Sequence, residues 1–282
     1  MPELPEVETT RKGLLKAIEG DVIRGVEIHT SALRFPLPDN MHERLAGCKV
    51  LDIARRAKYL MIRLSNGHEL LVHLGMSGRF QVFSPGSDKP PRQKHDHVIF
   101  RTRRGCEVRF NDPRRFGFMA LLATTEVNNH KFIRDLGPEP LGNSFNGPAL
   151  AAKLYGRRTS IKSALLNQKI VAGLGNIYVC EALYHSNISP KRGAYTIQGV
   201  RAERLAVSIK HVLLLAISAG GSSLRDFRHA DGGLGYFQHQ FAVYGREREY
   251  CPRCEITDRL EGCIQRISQS GRSTFFCSQW QR

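Results

Sequence analysis

The sequence lacks any apolar run long enough to cross a bilayer. Its longest, Val212 to Ile217, covers six residues, where a span needs about 20. The opening Met-Pro-Glu-Leu-Pro-Glu is acidic and broken by prolines, so no signal peptide is expected. No internal repeat or long low-complexity stretch occurs, which argues against a solenoid or a disordered tail. Acidic residues are scarce: 26 Asp and Glu face 42 Lys and Arg, a formal net charge of +16. Such an excess favours a polyanionic partner, because each cation placed on a phosphate releases a condensed counterion. Ribosomal and membrane-surface proteins share that bias, so charge alone only puts nucleic acid first. The seven cysteines are an odd number, and four of them fall between 251 and 282. That clustering favours a metal site in a reducing cytoplasm over a disulfide framework.

What is present divides the chain into regions. Pro5, early Glu6 and Glu8, late Lys12 and Lys16 and a closing Gly20 read as one helix. Residues 21 to about 123 are β-rich, with hairpins read from Asn66-Gly67 and Arg104-Gly105. The expected fold class is α+β and multidomain, its first part an antiparallel β-sandwich behind a leading helix over 1–136. A Gly/Pro/Asn-rich linker follows over 137–148. Helical patterns then run Leu150–Tyr155, Ile161–Gln168, Asn176–His185 and Arg201–Ala219, within a domain set at 149–240. Residues 241–282 form a finger-like β-hairpin region.

Several short strings carry chemistry. Removal of the initiator Met would expose Pro2 as a secondary amine, able to attack a sugar's anomeric carbon and form an iminium. Glu3 beside it could act as the acid, although these two residues alone fit an ordinary helix start. Lys58, in Arg55–Leu60, could grip a phosphate or assist proton movement. His73-Leu-Gly-Met-Ser-Gly78 sets flexible Met76 between glycines, and Asn111–Gly117 offers Arg114 and Phe116 on a turn. Apolar wedges with an arginine suit the opening of a duplex, and loop packing with surface solvation is the even-handed alternative. Gly173–Tyr178 precedes a helix, where backbone N–H groups and Asn176 could hold a phosphate; taken alone, a plain helix–helix connection is the commoner reading. Ser222 to Phe237 has the composition of a mobile flap.

Taken together, the string Met1–Thr9 and the other motifs, in this order, resemble bacterial formamidopyrimidine-DNA glycosylase over essentially the whole chain. The resemblance implies a bifunctional enzyme that excises 8-oxoguanine and formamidopyrimidines from double-stranded DNA. It then cuts abasic sites by β,δ-elimination, with no cofactor for catalysis. Pro2 would be the nucleophile, Glu3 the proton donor and Lys58 the catalytic β-strand lysine. Met76, Arg114 and Phe116 would fill the vacated stack, Arg114 facing the orphaned cytosine. His73, Lys162, Asn176 and Tyr244 would serve DNA binding in a helix-two-turn-helix setting, and Arg272 would touch phosphates at the lesion. Ser222, Arg225 and Tyr236 would belong to the lesion-capping loop. A monomer acting on DNA, with no membrane partner, is expected. Two alternatives stand beside this: an endonuclease VIII-like pyrimidine glycosylase, disfavoured by Leu4, and a damage-binding protein without lyase activity.

The finger departs from the family. Cys251-Pro-Arg-Cys254 is half of a zinc site, but Trp280 stands where the fourth cysteine belongs, and 22 residues separate Cys254 from Cys277. The expectation is therefore a metal-free finger, with Phe275, Phe276 and Trp280 packed as an apolar substitute. Should zinc bind, its ligands would be Cys251, Cys254, Cys263 and Cys277.

Overall fold

The computed structural model describes residues 1–223, 230, 232–254 and 262–282. Arg225 and the insert from Glu255 to Glu261 lie outside the described residues. The chain forms two compact units, one of residues 1–134 with 217–236, the other of 135–216 with 237–282.

In the first unit, Pro5 occupies the opening turn of α1 (Leu4–Ile18), where its missing N–H leaves no bond unmade. Glu6 reaches back to accept the Glu3 N–H at 2.8 Å, closing a capping box. The strands follow as β1 (Ile23–Ile28), β2 (Val50–Arg56), β3 (Tyr59–Leu64), β4 (His68–His73), β5 (Arg79–Phe83), β6 (Asp96–Thr102), β7 (Glu107–Asn111) and β8 (Phe118–Ala123), with short α2 (Met41–Leu45) after β1. Among the described residues they pair into two four-stranded antiparallel sheets, ordered β1-β6-β7-β5 and β2-β3-β4-β8. Ile53, Leu60 and Val72 of one sheet and Phe80, Val98 and Phe110 of the other share a core with Val7 and Leu14 of α1. Both hairpins read from the sequence are present, with Gly67 and Gly105 at the positive φ their turns require.

The second unit contains α3 (Gly147–Leu154), α4 (Ile161–Leu166), α5 (Asn176–His185) and most of α6 (Val200–Ser218), then β9 (Ile264–Gln269) and β10 (Arg272–Cys277). Asn146 caps α3, its side chain accepting the Ala149 N–H at 2.9 Å. Ser270 and Gly271 both take positive φ, the two-residue turn that keeps β9 and β10 twisted together. By contacts the segment 217–236 groups with the first unit. The physical links are Ser222 N–H to Glu6 Oε1 at 2.8 Å and Val82 N–H to the Ala230 carbonyl at 2.6 Å. No helix among the described residues is long and apolar enough to cross a membrane.

Candidate active site and nucleic-acid interface

Pro2 and Glu3 are both buried at the head of α1, while Met1 before them is 44% exposed. Lys58 lies in a two-residue turn, because Arg56 pairs directly with Tyr59 across β2 and β3. Its neighbour Ala57 has a φ of 54°, a left-handed conformation that a non-glycine residue holds only when its surroundings fix it. One restraint is the Arg55 guanidinium, which donates to the Ala57 carbonyl at 2.9 Å. The same guanidinium donates to Glu8 Oε2 at 2.9 Å, and Arg11 donates to Glu8 Oε1 at 2.8 Å. The helix behind Pro2 is thus tied to the turn that carries Lys58. Burial pushes the Glu8 carboxyl up, but the bonds and charges of Arg11 and Arg55 outweigh it and leave the group below its ordinary value.

His73 ends β4. Its ring stacks on Phe118 at 5.7 Å, and its Nδ1 accepts the Gly75 N–H at 2.9 Å. Burial, with the charges of Lys58 and Arg34 added, pushes its pKa down to about 4. The ring is therefore neutral near pH 7, with its proton on Nε2. The next residues form the loop with half-buried Met76; across from it, Arg114 and Phe116 are exposed, the guanidinium 4.9 Å from the ring centroid. Ser222 forms an isolated β-bridge with Tyr236, whose side chain is exposed.

In the second unit, α5 begins at Asn176 after Gly175, whose backbone leaves the helix start without a side-chain cap. Asn176 Nδ2 donates to the Ser273 carbonyl at 2.8 Å. Lys162 Nζ meets the same carbonyl at 3.1 Å and Thr274 Oγ1 at 2.6 Å. Lys162 is fully buried, its ammonium turned to the hairpin rather than to solvent. It anchors the hairpin whose exposed Arg272 stands next to Ser273. Tyr244 packs its ring between Phe241 and Phe275, at 5.6 and 5.1 Å. Its backbone is fixed by the buried carboxylate of Glu181, which accepts the N–H groups of Ala242, Val243 and Tyr244 at 2.8–3.0 Å. Burial raises the Glu181 carboxyl despite those three bonds.

The finger differs from its expectation. The sulfurs of Cys251, Cys254, Cys263 and Cys277 all lie within 4.8 Å of one another, with Cys254 and Cys277 at 3.9 Å. Four thiolates around one zinc at about 2.3 Å would stand about 3.8 Å apart. The apolar substitute does not form. Phe275 and Phe276 are successive residues on β10 and face opposite sides; Phe275 meets Tyr244 and Phe276 lies under Lys191. Trp280 is 46% exposed, with the Arg253 guanidinium 6.0 Å from its ring. Beside the sulfurs, the buried Tyr184 hydroxyl faces Cys251 and helps hold that thiol below its ordinary pKa.

Sequence reasoning missed Glu8, Arg55, Asp112, Glu181 and Tyr184. Only Glu181 carried a usable signal, as a lone acid in the apolar stretch Val179 to Tyr184.

Two family models match the chain: the formamidopyrimidine-DNA glycosylase N-terminal domain over residues 1–119, and the H2TH domain of the same enzymes over residues 136–228. The formamidopyrimidine-DNA glycosylase of Ruegeria pomeroyi is 55% identical, with all of both chains covered. That of Cereibacter sphaeroides is 52% identical over the same full coverage. Among solved structures, the Lactococcus lactis enzyme in complex with DNA containing an abasic site superposes with a TM-score of 0.88 at 34% identity, covering both chains fully. A second structure, of the enzyme MutM with DNA containing carbocyclic 8-oxo-G, gives a TM-score of 0.86 at 35% identity and full coverage. With two matched domains in order and relatives similar from end to end, the chain is a member of the formamidopyrimidine-DNA glycosylase family.

Proposed function

We propose that the protein removes oxidised purines, 8-oxoguanine and formamidopyrimidines, from duplex DNA and then cuts the strand at the abasic site. Relatives of this family named for that activity support it, as do solved complexes of neighbours with abasic, 8-oxoguanine and formamidopyrimidine DNA. The observation that carries it is Pro2, buried with Glu3 at the head of a helix that Glu8 and Arg55 fasten to the Lys58 turn.

The chemistry starts when Met1 is removed and the Pro2 nitrogen becomes a free secondary amine. An α-amine titrates near ~7.7–8.0, so part of it carries a lone pair at neutral pH. That pair attacks C1′ of the damaged nucleotide. Glu3 protonates the ring oxygen, the sugar opens and the base departs with the C1′–N bonding electrons. The resulting iminium acidifies the C2′ proton, and its loss expels the 3′ phosphate; a second elimination expels the 5′ phosphate. In this reading Lys58 holds a phosphate of the strand. Asn176 and Arg272 supply backbone contacts, and Met76, Arg114 and Phe116 occupy the space left in the stack.

The four clustered cysteines fit a structural zinc ion by donor type and spacing. Bound there, zinc would cross-link Cys251 and Cys254 to β10 and to Cys263 at the start of β9, stiffening the hairpin that presents Arg272. The proposed place of action is the cytoplasm, supported by a DNA substrate and by cysteines clustered as metal ligands rather than paired as disulfides.

The assay is direct. Duplexes carrying 8-oxoguanine or an oxidised pyrimidine are incubated with protein and resolved on a denaturing gel. Preferential nicking of 8-oxoguanine, leaving phosphate at both gap ends, supports the reading. Preference for the pyrimidine, or binding without nicking, refutes it.

A further inference from the structure

Asp112 opens the turn before Arg114 and Phe116, and its residue is fully buried. The Ser77 hydroxyl donates to its Oδ1 at 2.6 Å, and the Gly117 N–H donates to its Oδ2 at 2.8 Å. Ser77 Oγ in turn accepts the Arg114 N–H at 3.1 Å. Three polar contacts thus converge on one carboxylate and one hydroxyl. They join the loop of Met76 to the loop of Arg114 and Phe116.

The backbones of the two loops press together at the same place. A Cβ on Gly75 would lie 2.2 Å from the Phe116 carbonyl carbon and 2.4 Å from the Gly117 nitrogen. One on Gly117 would lie 2.9 Å from the His73 carbonyl oxygen. Only glycine permits that approach. The Asp112 end of the turn is fixed further by its N–H, which donates to the His95 carbonyl at 3.1 Å, and by its carbonyl, 3.0 Å from His97 Nε2. Arg115 takes a φ of 55°, which turns the chain so that the rim residues point to solvent.

We infer that Asp112 is a positioning residue for base eversion, its buried carboxylate locking the Met76 loop to the Arg114–Phe116 loop so that the three void-filling side chains form one preset wedge. The inference rests on the glycosylase reading. A wedge fixed in advance loses little conformational entropy when it enters the duplex. A misplacement of about 1 Å at such a site costs on the order of 100-fold in rate. Neither Asp112 nor Ser77 needs to touch DNA for this.

The test compares wild type, Asp112→Asn, Ser77→Ala and Ser77→Thr on two substrates. One is a duplex with 8-oxoguanine opposite cytosine, followed in single turnover with 2-aminopurine beside the lesion to report unstacking. The other is a preformed abasic site in single-stranded DNA, where there is no base to evict and no stack to fill. Loss of the clasp should slow unstacking and duplex excision by about 10- to 100-fold. Nicking of the single-stranded abasic site should stay within about twofold, and Ser77→Thr, which keeps the hydroxyl, should recover most of the duplex rate. Should Asp112→Asn fail to fold, the Ser77 pair decides alone. Equal losses on both substrates, or no loss on the duplex, overturn the inference. Wild type inert on both substrates would instead refute the glycosylase reading, and the inference with it.

Discussion

The Glu8 carboxylate receives the Arg55 guanidinium at 2.9 Å, and Arg55 also holds the carbonyl of Ala57, the residue before Lys58. One ion pair therefore spans from the helix that follows Pro2 to the turn that carries the lysine. It is largely shielded, with Arg55 and Glu8 side chains 10% and 14% exposed. Removing one partner leaves the other poorly solvated, which is costlier than replacing both.

Glu8→Gln should lower stability by about 1–3 kcal/mol at pH 7. The contribution has a pH signature. Because the folded carboxyl titrates below its ordinary value of 4.5, its stabilisation is complete above that value and is lost as pH falls through the lower folded one. Thermal unfolding of wild type and variant should converge toward acid. A gap that stays constant as the pH is taken below 4.5 would contradict the assignment.

His73 acts in the same direction at low pH, by refusing a proton rather than by losing a paired charge. Its folded pKa of about 4 lies below the ordinary 6.5, so the unfolded chain takes up a proton that the folded ring refuses. Its effect on stability is absent above about 6.5 and grows as a penalty down to about 4. His73→Gln should lose less stability than wild type between pH 6.5 and 4.5, a comparison read from denaturant midpoints across that window. An NMR titration placing the His73 midpoint above 6 would contradict the buried neutral ring.

The finger should carry one zinc per chain when purified without added metal, measured by elemental analysis. Cys263→Ser should reduce that content, and Trp280→Cys should leave it unchanged, since position 280 is not needed to complete the set. Tyr184→Phe removes the buried hydroxyl that faces Cys251 and should weaken zinc by about 10-fold in chelator competition, the usual cost of a lost outer-shell donor. Metal-free protein with an intact finger would restore the zincless expectation.

Lys162→Met should loosen the hairpin that carries Arg272. It removes the donor to the Ser273 carbonyl and to Thr274 Oγ1, so unfolding should come about 1–3 kcal/mol earlier. DNA affinity should fall with little change in its salt slope, because the buried ammonium is spent on the Ser273 carbonyl and Thr274 hydroxyl. A slope smaller by about one would place Lys162 on the backbone instead.

How much of this was legible in the sequence follows from the range of each interaction. Pro5 with Glu6, the Asn66-Gly67 and Arg104-Gly105 turns and the face of α6 are local signals, and each marked an element that is present. Motif resemblance supplied Pro2, Lys58, Met76 and Arg114 as candidates, because those strings are short and contiguous. Contacts between distant positions left no such trace. Glu8 meets Arg55 across 47 residues, Ser77 meets Asp112 across 35, and Lys162 meets Thr274 across 112. The finger was legible in part: spacing along the chain suggested a broken site with Cys263 as the substitute ligand, and the fold does bring Cys263 beside the other three sulfurs.

The central claim is covalent catalysis by Pro2. Protein with its N-terminus verified as proline should be mixed with a duplex bearing 8-oxoguanine opposite cytosine and treated with borohydride. A trapped protein–DNA adduct whose linkage maps to Pro2 by mass spectrometry is the expected result. Strand cleavage without any adduct, or an adduct on Lys58, would contradict the account.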